Sequence, residues 1–177
     1  MPAVTEPVPT VPLEPGDAAA CVEVWLAALR ERDGAEPARG TAERAAAKFA
    51  APWVAGRGVH DPTAPSAGAA GSPSARLLGF ALVTAPGSGY PTDPTDAAYL
   101  SMLGVAPGHA RRGLGGALLD AVAADARAAG HARLSLHVMP SNAPAVRLYE
   151  AHGWRPHGEL HEHPLLGLPV RTYLLEG

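Results

Sequence analysis

Six consecutive residues have the composition of an anion-binding loop, and they stand between a predicted strand and a predicted helix. These residues are Arg111, Arg112, Gly113, Leu114, Gly115 and Gly116. Glycine tolerates positive φ and lets a ligand approach the backbone closely. The first turn of a helix offers N–H groups without partners, and the helix dipole adds partial positive charge. With two arginines beside it, this segment predicts a site for a phosphate or pyrophosphate.

Two common phosphate-binding motifs do not fit this loop. Gly108 and Gly113 have the glycine separation of a P-loop, but Leu114 and Gly115 then stand where that motif needs Lys and Ser or Thr. The dinucleotide fingerprint needs a third glycine, where this chain has Leu118, and an acidic residue at the end of the next strand, where none is found. The loop therefore calls for another explanation.

The hydrophobic pattern predicts the elements that position the loop. Strands are apolar runs, helices repeat their apolar positions every three or four residues, and glycine and proline mark the ends. The pattern predicts a flexible lead at 1–16, with an edge strand near Thr10 to Leu13. It predicts helices at 17–34, 41–51, 113–130 and 142–152, strands at 77–84, 99–105 and 134–138, and a hairpin of 154–160 with 170–175. It also predicts a mobile loop at 56–74, which leaves only a weak strand signal near Trp53 to Val59. This order predicts one α/β domain over 17–177 with a mixed sheet.

Two motifs carry a resemblance to a known family. The first has the spacing of Leu103, Val105, Pro107, Gly113, Gly115, Leu118 and Leu119, and the second that of Leu136, Val138, Asn142, Ala145, Leu148, Tyr149, Gly153 and Trp154. They resemble motifs A and B of the GNAT superfamily of N-acetyltransferases, over Tyr99 to Trp154. Trp154 replaces the usual Phe, and Ala110 stands where motif A has Arg or Gln.

The resemblance implies a fold and an acetyl-coenzyme A site. A mostly antiparallel mixed sheet would have two central strands that splay apart, with the pantetheine arm along one of them. The implied cofactor-binding residues are Leu103, Gly104, Val105, Arg111, Arg112, Gly113, Leu114, Gly115, Gly116, Asn142, Ala145 and Tyr149. Asn142, Ala145 and Tyr149 share one helical face at i, i+3 and i+7, as such an arm would require.

The resemblance also implies a mechanism. A primary amine attacks the thioester directly, and Tyr149 protonates the departing thiolate. Many relatives carry a Glu as base where this chain has Tyr99. The sequence leaves as bases a water held by Ser101 or by backbone carbonyls, and, second to that water, His137. A structural histidine is the commoner fate of such a residue.

Other interpretations remain open at this point. The domain could be a non-catalytic acyl-CoA sensor of the same fold, or a nucleotide-binding protein. Asn142 could simply cap a helix and Tyr149 could be an ordinary packed tyrosine. His157, His161 and His163 cluster near the final hairpin, where exposed polar residues are a better hypothesis than metal ligands.

The composition narrows the class of protein. Of the 177 residues, 47% are hydrophobic and 18% charged, which is typical of a globular chain. A net charge of −3 and a pI near 6.2 disfavour a general nucleic-acid binder. No apolar run is long enough for a membrane span. The single cysteine, Cys21, and the absence of a secretory leader favour a cytoplasmic location. We expect no metal site, and a homodimer is left open.

Overall fold

The computed structural model describes residues 8–63, 76–164 and 166–177. The strands and helices within these ranges are, in chain order, β1 (Val11–Pro12), α1 (Ala18–Asp33), α2 (Thr41–Ala50), β2 (Trp53–His60), β3 (Leu77–Thr84), β4 (Ala98–Val105), α3 (Leu114–Ala128), β5 (Leu134–Val138), α4 (Ala143–Ala151), β6 (Arg155–Glu162) and β7 (Pro169–Leu175). In these ranges no helix has both the length and the apolar character that crossing a bilayer requires.

The strands form one mixed sheet in the order β1-β2-β3-β4-β5-β7-β6. Neighbouring strands run antiparallel except β4 and β5, which are parallel. The last strand, β7, enters between β5 and β6, so the final hairpin is joined to the sheet through its second strand. This confirms the predicted single α/β domain with a mixed, mostly antiparallel sheet.

Helices cover both faces of the sheet. On one face α3 packs through Leu118 and Val122, with Trp154 in the same fully buried cluster. On the other face α1 and α2 pack over Phe80 and Met102. Because β3 is buried along its whole length, both of its faces must be apolar, which explains its uninterrupted hydrophobic sequence.

The two parallel strands separate soon after they meet. β4 and β5 pair only at Ala98 with Leu134 and at Tyr99 with Ser135. Beyond this point β5 continues to pair with β7, whereas the facing edge of β4 has no strand partner among the described residues. The sheet therefore opens into a wedge whose apex is at Tyr99, which confirms the splayed central strands.

The loop expected from Gly56 begins later than the sequence suggested. Residues 53–60 form β2, a full strand between β1 and β3. A Cβ at Gly56 would lie 2.1 Å from the Trp53 ring, and one at Gly58 would lie 3.0 Å from Leu13 and from Leu77. These glycines make room for packed side chains within a strand, so they do not indicate a loop. Residues 64–75 of the expected loop lie outside the described residues.

The contact between α3 and β3 generates a stability prediction. Leu118 is fully buried, and its Cδ1 would lie only 3.2 Å from a Cβ at Gly79. Leu118→Ala should lower the free energy of unfolding by about 2–5 kcal/mol, because it removes buried methyl groups and leaves a cavity. Leu160→Ala is the control: this leucine is 48% exposed and should change stability by less than about 0.5 kcal/mol. Equal urea unfolding midpoints for the two variants would contradict the assigned core.

Candidate active site

The loop between β4 and α3 has an unusual backbone. Gly108, Arg111 and Gly113 have φ values of 76°, 65° and 78°. Arg111 is the one residue other than glycine with positive φ in the described parts of the chain. Such a conformation costs about 1–2 kcal/mol for an L-residue, so the surrounding turn must hold it in place.

The loop ends at helix amides that have no partner within the helix. Gly113 is the N-cap of α3 and supplies no side chain to it. The helical ladder begins with the amide of Ala117, which donates to Gly113 O. The amides of Leu114, Gly115 and Gly116 therefore precede the ladder, at the positive end of the dipole. This is the arrangement that anion binding at a helix start requires.

Helix α4 packs against this first turn of α3. A Cβ at Gly116 would lie 2.7 Å from His152 Nε2, and one at Gly115 would lie 3.2 Å from Leu148 Cδ2. These two glycines therefore allow α4 to approach.

Two side chains of α4 differ in their surroundings: Asn142 caps the helix, and Tyr149 packs partly buried against the core. Asn142 Oδ1 accepts a hydrogen bond from the Ala145 amide at 3.4 Å, so Asn142 caps the helix. The Tyr149 ring packs against Trp154, with centroids 6.1 Å apart. Burial raises the pKa of Tyr149 to about 12. Its hydroxyl therefore keeps its proton throughout the neutral range.

A buried aspartate and histidine face each other near the apex of the wedge. His137 Nε2 lies 2.7 Å from Asp93 Oδ1, and the two side chains are 4% and 5% exposed. Asp93 Oδ2 also accepts from the Tyr90 amide at 3.0 Å and from Ser135 Oγ at 3.4 Å. Asp93 is thus fixed from the β3–β4 connection, and it orients the ring of His137 on β5.

Burial, and not the pairing with Asp93, keeps His137 neutral. Burial lowers its pKa below the ordinary 6.5, Asp93 opposes this lowering, and His161 and the positive charge of Lys48 add to it. The neutral ring then donates from Nε2 to Asp93. Its Nδ1 is buried and accepts no hydrogen bond from the described residues. A neutral imidazole with an unused lone pair has the character of a general base.

Aromatic rings surround His137. Tyr90 stacks on it with centroids 3.9 Å apart, and Tyr99 lies 5.1 Å away. His161 meets both Tyr90 and His137 edge-on, at 5.0 Å and 5.6 Å, and His163 lies 6.4 Å from Tyr90. We call Tyr90, Tyr99, His137, His161 and His163 the aromatic cluster.

The aromatic cluster revises the reading of the final hairpin. Two of its three histidines, His161 and His163, turn inward, whereas His157 is exposed on β6. Among the described residues no three His, Cys, Asp or Glu side chains are placed to hold a metal ion. The contacts that the two inward histidines make are therefore contacts between aromatic rings.

Lys48 of α2 reaches across to the strand that forms the apex. Its Nζ donates to Ser101 O at 2.9 Å and lies 5.4 Å above the centre of the Tyr99 ring. Burial lowers the pKa of Lys48 to about 8. Ser101 lies at a register shift between β3 and β4, and its hydroxyl donates to Leu82 O at 3.3 Å. The hydroxyl and the carbonyl of Ser101 are therefore both already engaged.

The sequence did not reveal every residue of this site. The predicted loop, Tyr149 and His137 surround the wedge as two groups, one at the open end and one at the apex. Asp93 and Lys48 were missed, because their partners are 44 and 53 positions away. One signal was available for Lys48: it is the only lysine in the chain.

Comparison with known proteins agrees with this geometry. Residues 38–154 match the model of the acetyltransferase (GNAT) family. Because the match spans most of the chain, the protein belongs to the GNAT acetyltransferase family. A search of curated proteins gave no significant match.

Solved structures show the same fold at low identity. The ribosomal-protein-S18-alanine N-acetyltransferase of Escherichia coli is similar with a TM-score of 0.67, 20% identity, and 95% of this chain and 92% of that chain covered. For yncA of Salmonella typhimurium, solved with acetyl-CoA, the TM-score is 0.66 and the identity 18%, with 95% of this chain and 92% of that chain covered. For a GCN5-related N-acetyltransferase from Kribbella flavida the TM-score is 0.66 and the identity 20%, with 97% of this chain and 98% of that chain covered.

The buried pair generates a titration prediction. By NMR, His137 should titrate below 6.5, because burial disfavours its charged form. Asp93→Asn should lower this pKa further, because it removes the carboxylate that stabilises the imidazolium. Asp120→Asn is the matched control, since it alters another aspartate–histidine contact. Asp120 lies 2.6 Å from His152, outside the aromatic cluster, so this substitution should leave the pKa of His137 unchanged. A His137 pKa above 6.5 in the wild type would contradict the described environment.

Proposed function

We propose that this protein transfers the acetyl group of acetyl-CoA to a primary amine by direct attack. The observation that supports the proposal is the wedge between β4 and β5, with the glycine loop following β4, the buried His137 on β5 as candidate base and the partly buried Tyr149 as candidate acid. Family membership supports acetyl transfer; the choice of an amine as acceptor rests on the side chains of the wedge.

The residues present suit a coenzyme A group. Arg111, Arg112 and the amides of Gly113–Gly116 would hold its phosphates at the start of α3. The unpaired edge of β4, from Leu103 to Val105, would pair with the pantetheine arm as an added strand does. Ala145 and Tyr149 of α4 would flank that arm, with Asn142 fixing the helix start. Bound there, acetyl-CoA supplies a thioester carbonyl for attack.

His137 is the base that the geometry supports best. A lysine-like amine costs about 4.6 kcal/mol to deprotonate at pH 7, and an α-amino group about 1.1 kcal/mol, so base assistance is worth most for the former. His137 takes up the proton at Nδ1, directly or through a water shared with the buried Nε2 of His161, which likewise lacks a partner among the described residues. Ser101, whose hydroxyl and carbonyl are engaged, is the weaker candidate.

Tyr149 is the proposed acid. Its raised pKa keeps the hydroxyl protonated and able to donate to a departing thiolate. A thiol with a pKa of about 8.5 leaves fairly well without help, so this contribution should be modest. The backbone N–H groups of the β4 edge would stabilise the developing oxyanion.

The direct test is release of coenzyme A from acetyl-CoA in the presence of an amine panel. Two of the similar structures carry peptide-related names, one an N-acetyltransferase of ribosomal protein S18 alanine and the other a NatC complex with Gag peptide and CoA. A peptide with a free α-amino group therefore belongs in the panel beside polyamines and lysine analogues. Tight binding of acetyl-CoA without transfer to any amine would favour the sensor function instead.

The loop prediction concerns acetyl-CoA affinity. Gly115→Val should weaken binding at least about tenfold by calorimetry, because its side chain blocks close approach to the first turn of α3. Since a Cβ there also approaches Leu148, an acetylated pantetheine without phosphates serves as a second probe on the wild type. It should bind at least about tenfold more weakly than acetyl-CoA. Equal affinities for the two thioesters would show that the phosphates contribute nothing to binding, which would contradict the assigned loop.

The acid prediction concerns Tyr149→Phe, which removes only the hydroxyl. Turnover should fall about 10- to 100-fold, at or below the low end of the usual range for positioned acid catalysis. Acetyl-CoA affinity should change little, because the ring still packs against Trp154. Tyr173→Phe is the control, since it removes a hydroxyl that donates to Glu150 Oε1 at 3.0 Å.

A second thioester separates chemistry from positioning. With a more acidic leaving thiol the Tyr149→Phe defect should shrink, because that thiolate needs less protonation. A defect of the same size with both thioesters would show that Tyr149 only positions the reactants. Single-turnover rates are the appropriate measurement if product release limits turnover.

A further inference from the structure

Lys48 is unusual among the basic residues of this chain. Of the 14 lysine and arginine residues, it is the only lysine. The guanidinium of arginine stays charged in proteins, whereas a lysine amine can lose its proton and become a nucleophile. Lys48 is therefore the one side chain of the protein that could itself accept an acetyl group as an amine.

The position of Lys48 is that expected of an acceptor amine. β4 and β5 make their last pair at Tyr99, and Lys48 Nζ lies above the Tyr99 ring and bonds to Ser101 O, two residues further along β4. Phosphates at the α3 start would fix one end of the pantetheine arm at the open end of the wedge. The thioester end would then point to the apex, where this amine is found.

The state of the Lys48 amine suits attack on a thioester. Burial lowers its pKa to about 8, so roughly a tenth of the molecules carry the neutral amine at pH 7, against less than about a thousandth for an ordinary lysine. The neutral amine donates one N–H to Ser101 O and retains its lone pair. The bond to a fixed backbone carbonyl restricts where that lone pair can point.

We infer that Lys48 is a site of self-acetylation, and that its acetylation closes the wedge to other amines. The inference rests on the proposed function, since bound acetyl-CoA is the donor. The Nζ lone pair forms a bond to the acetyl carbon, the carbon–sulfur bond breaks, and the sulfur leaves with the electron pair. The surplus proton on nitrogen passes to His137, and the thiolate takes a proton from Tyr149, leaving acetyl-lysine and free coenzyme A.

The modification would change the charges at the apex. Lys48 faces Tyr99 on β4 and His137 on β5, and its charge also reaches His163, which lies beside Arg44 of α2 as well. The positive charge of Lys48 contributes to the lowered pKa values of both histidines. Acetylation removes that charge, so the pKa of His137 should rise when Lys48 is modified.

The test is incubation of the full chain with acetyl-CoA and no added acceptor, followed by intact mass and peptide mapping. We expect one acetyl group on Lys48, with a rate that rises from pH 7 to 8 and levels off above it. Preincubated protein should lose most of its turnover with an added amine. Lys48→Arg is the matched control, because it keeps the positive charge. This variant should gain no acetyl group at residue 48, and its turnover with an added amine should not fall during preincubation.

The outcomes separate this inference from the proposed function. Rapid acetylation of an added amine with Lys48 unmodified would overturn the inference and leave the proposed function standing. No binding of acetyl-CoA would overturn both. Acetylation of Lys48 at the same rate in urea-unfolded protein would show ordinary chemical acetylation and overturn the inference alone.

Discussion

The separation of β4 from β5 is the constraint on which the rest of the structure depends. Two parallel strands that pair at only two positions leave a row of backbone N–H and C=O groups without a strand partner. Because buried backbone groups must be satisfied, this opening is costly unless water or a ligand occupies it. The sheet tolerates it because β7 pairs with the whole of β5 and β3 with most of β4, so each strand remains anchored on its outer side.

The walls of the wedge divide the chemistry between the two faces of the sheet. α3 and α4 lie on one face, and they contribute Tyr149 and the amides proposed to bind the cofactor phosphates. α2 lies on the other, and together with the β3–β4 connection and the final hairpin it contributes Lys48, Asp93 and the inward histidines. A reaction at the apex would therefore draw its cofactor contacts from one layer and its proton transfers from both. The β4 strand, which both layers contact, is the common reference for their positions.

The sequence predicted the elements whose signals are local. Glycine placement and helical periodicity located the loop and α4, and the resemblance of two motifs to a known family singled out Gly113 and Tyr149 within them. Contacts between distant segments were not predictable in the same way. Asp93 stands in a turn-rich stretch that reads as an ordinary loop, and only the fold brings it to His137. Gly56 and Gly58 were wrongly assigned to a loop. The sequence alone does not distinguish a glycine that makes room for Trp53 or Leu13 from a glycine in a flexible loop.

One physical cause, loss of water, shifts the pKa values of Tyr149 and His137, the proposed acid and base, in opposite directions. Burial disfavours the charged form of any group. For Tyr149 the charged form is the phenolate, so the pKa rises to about 12 and the hydroxyl keeps its proton. For His137 the charged form is the imidazolium, so the pKa falls and the ring stays neutral. Near neutral pH the protonated Tyr149 can therefore donate a proton while the neutral His137 can accept one, which is the condition for concerted proton transfer. Lys48 follows the same rule, since burial moves its pKa to about 8 and makes the neutral amine accessible in the same interval.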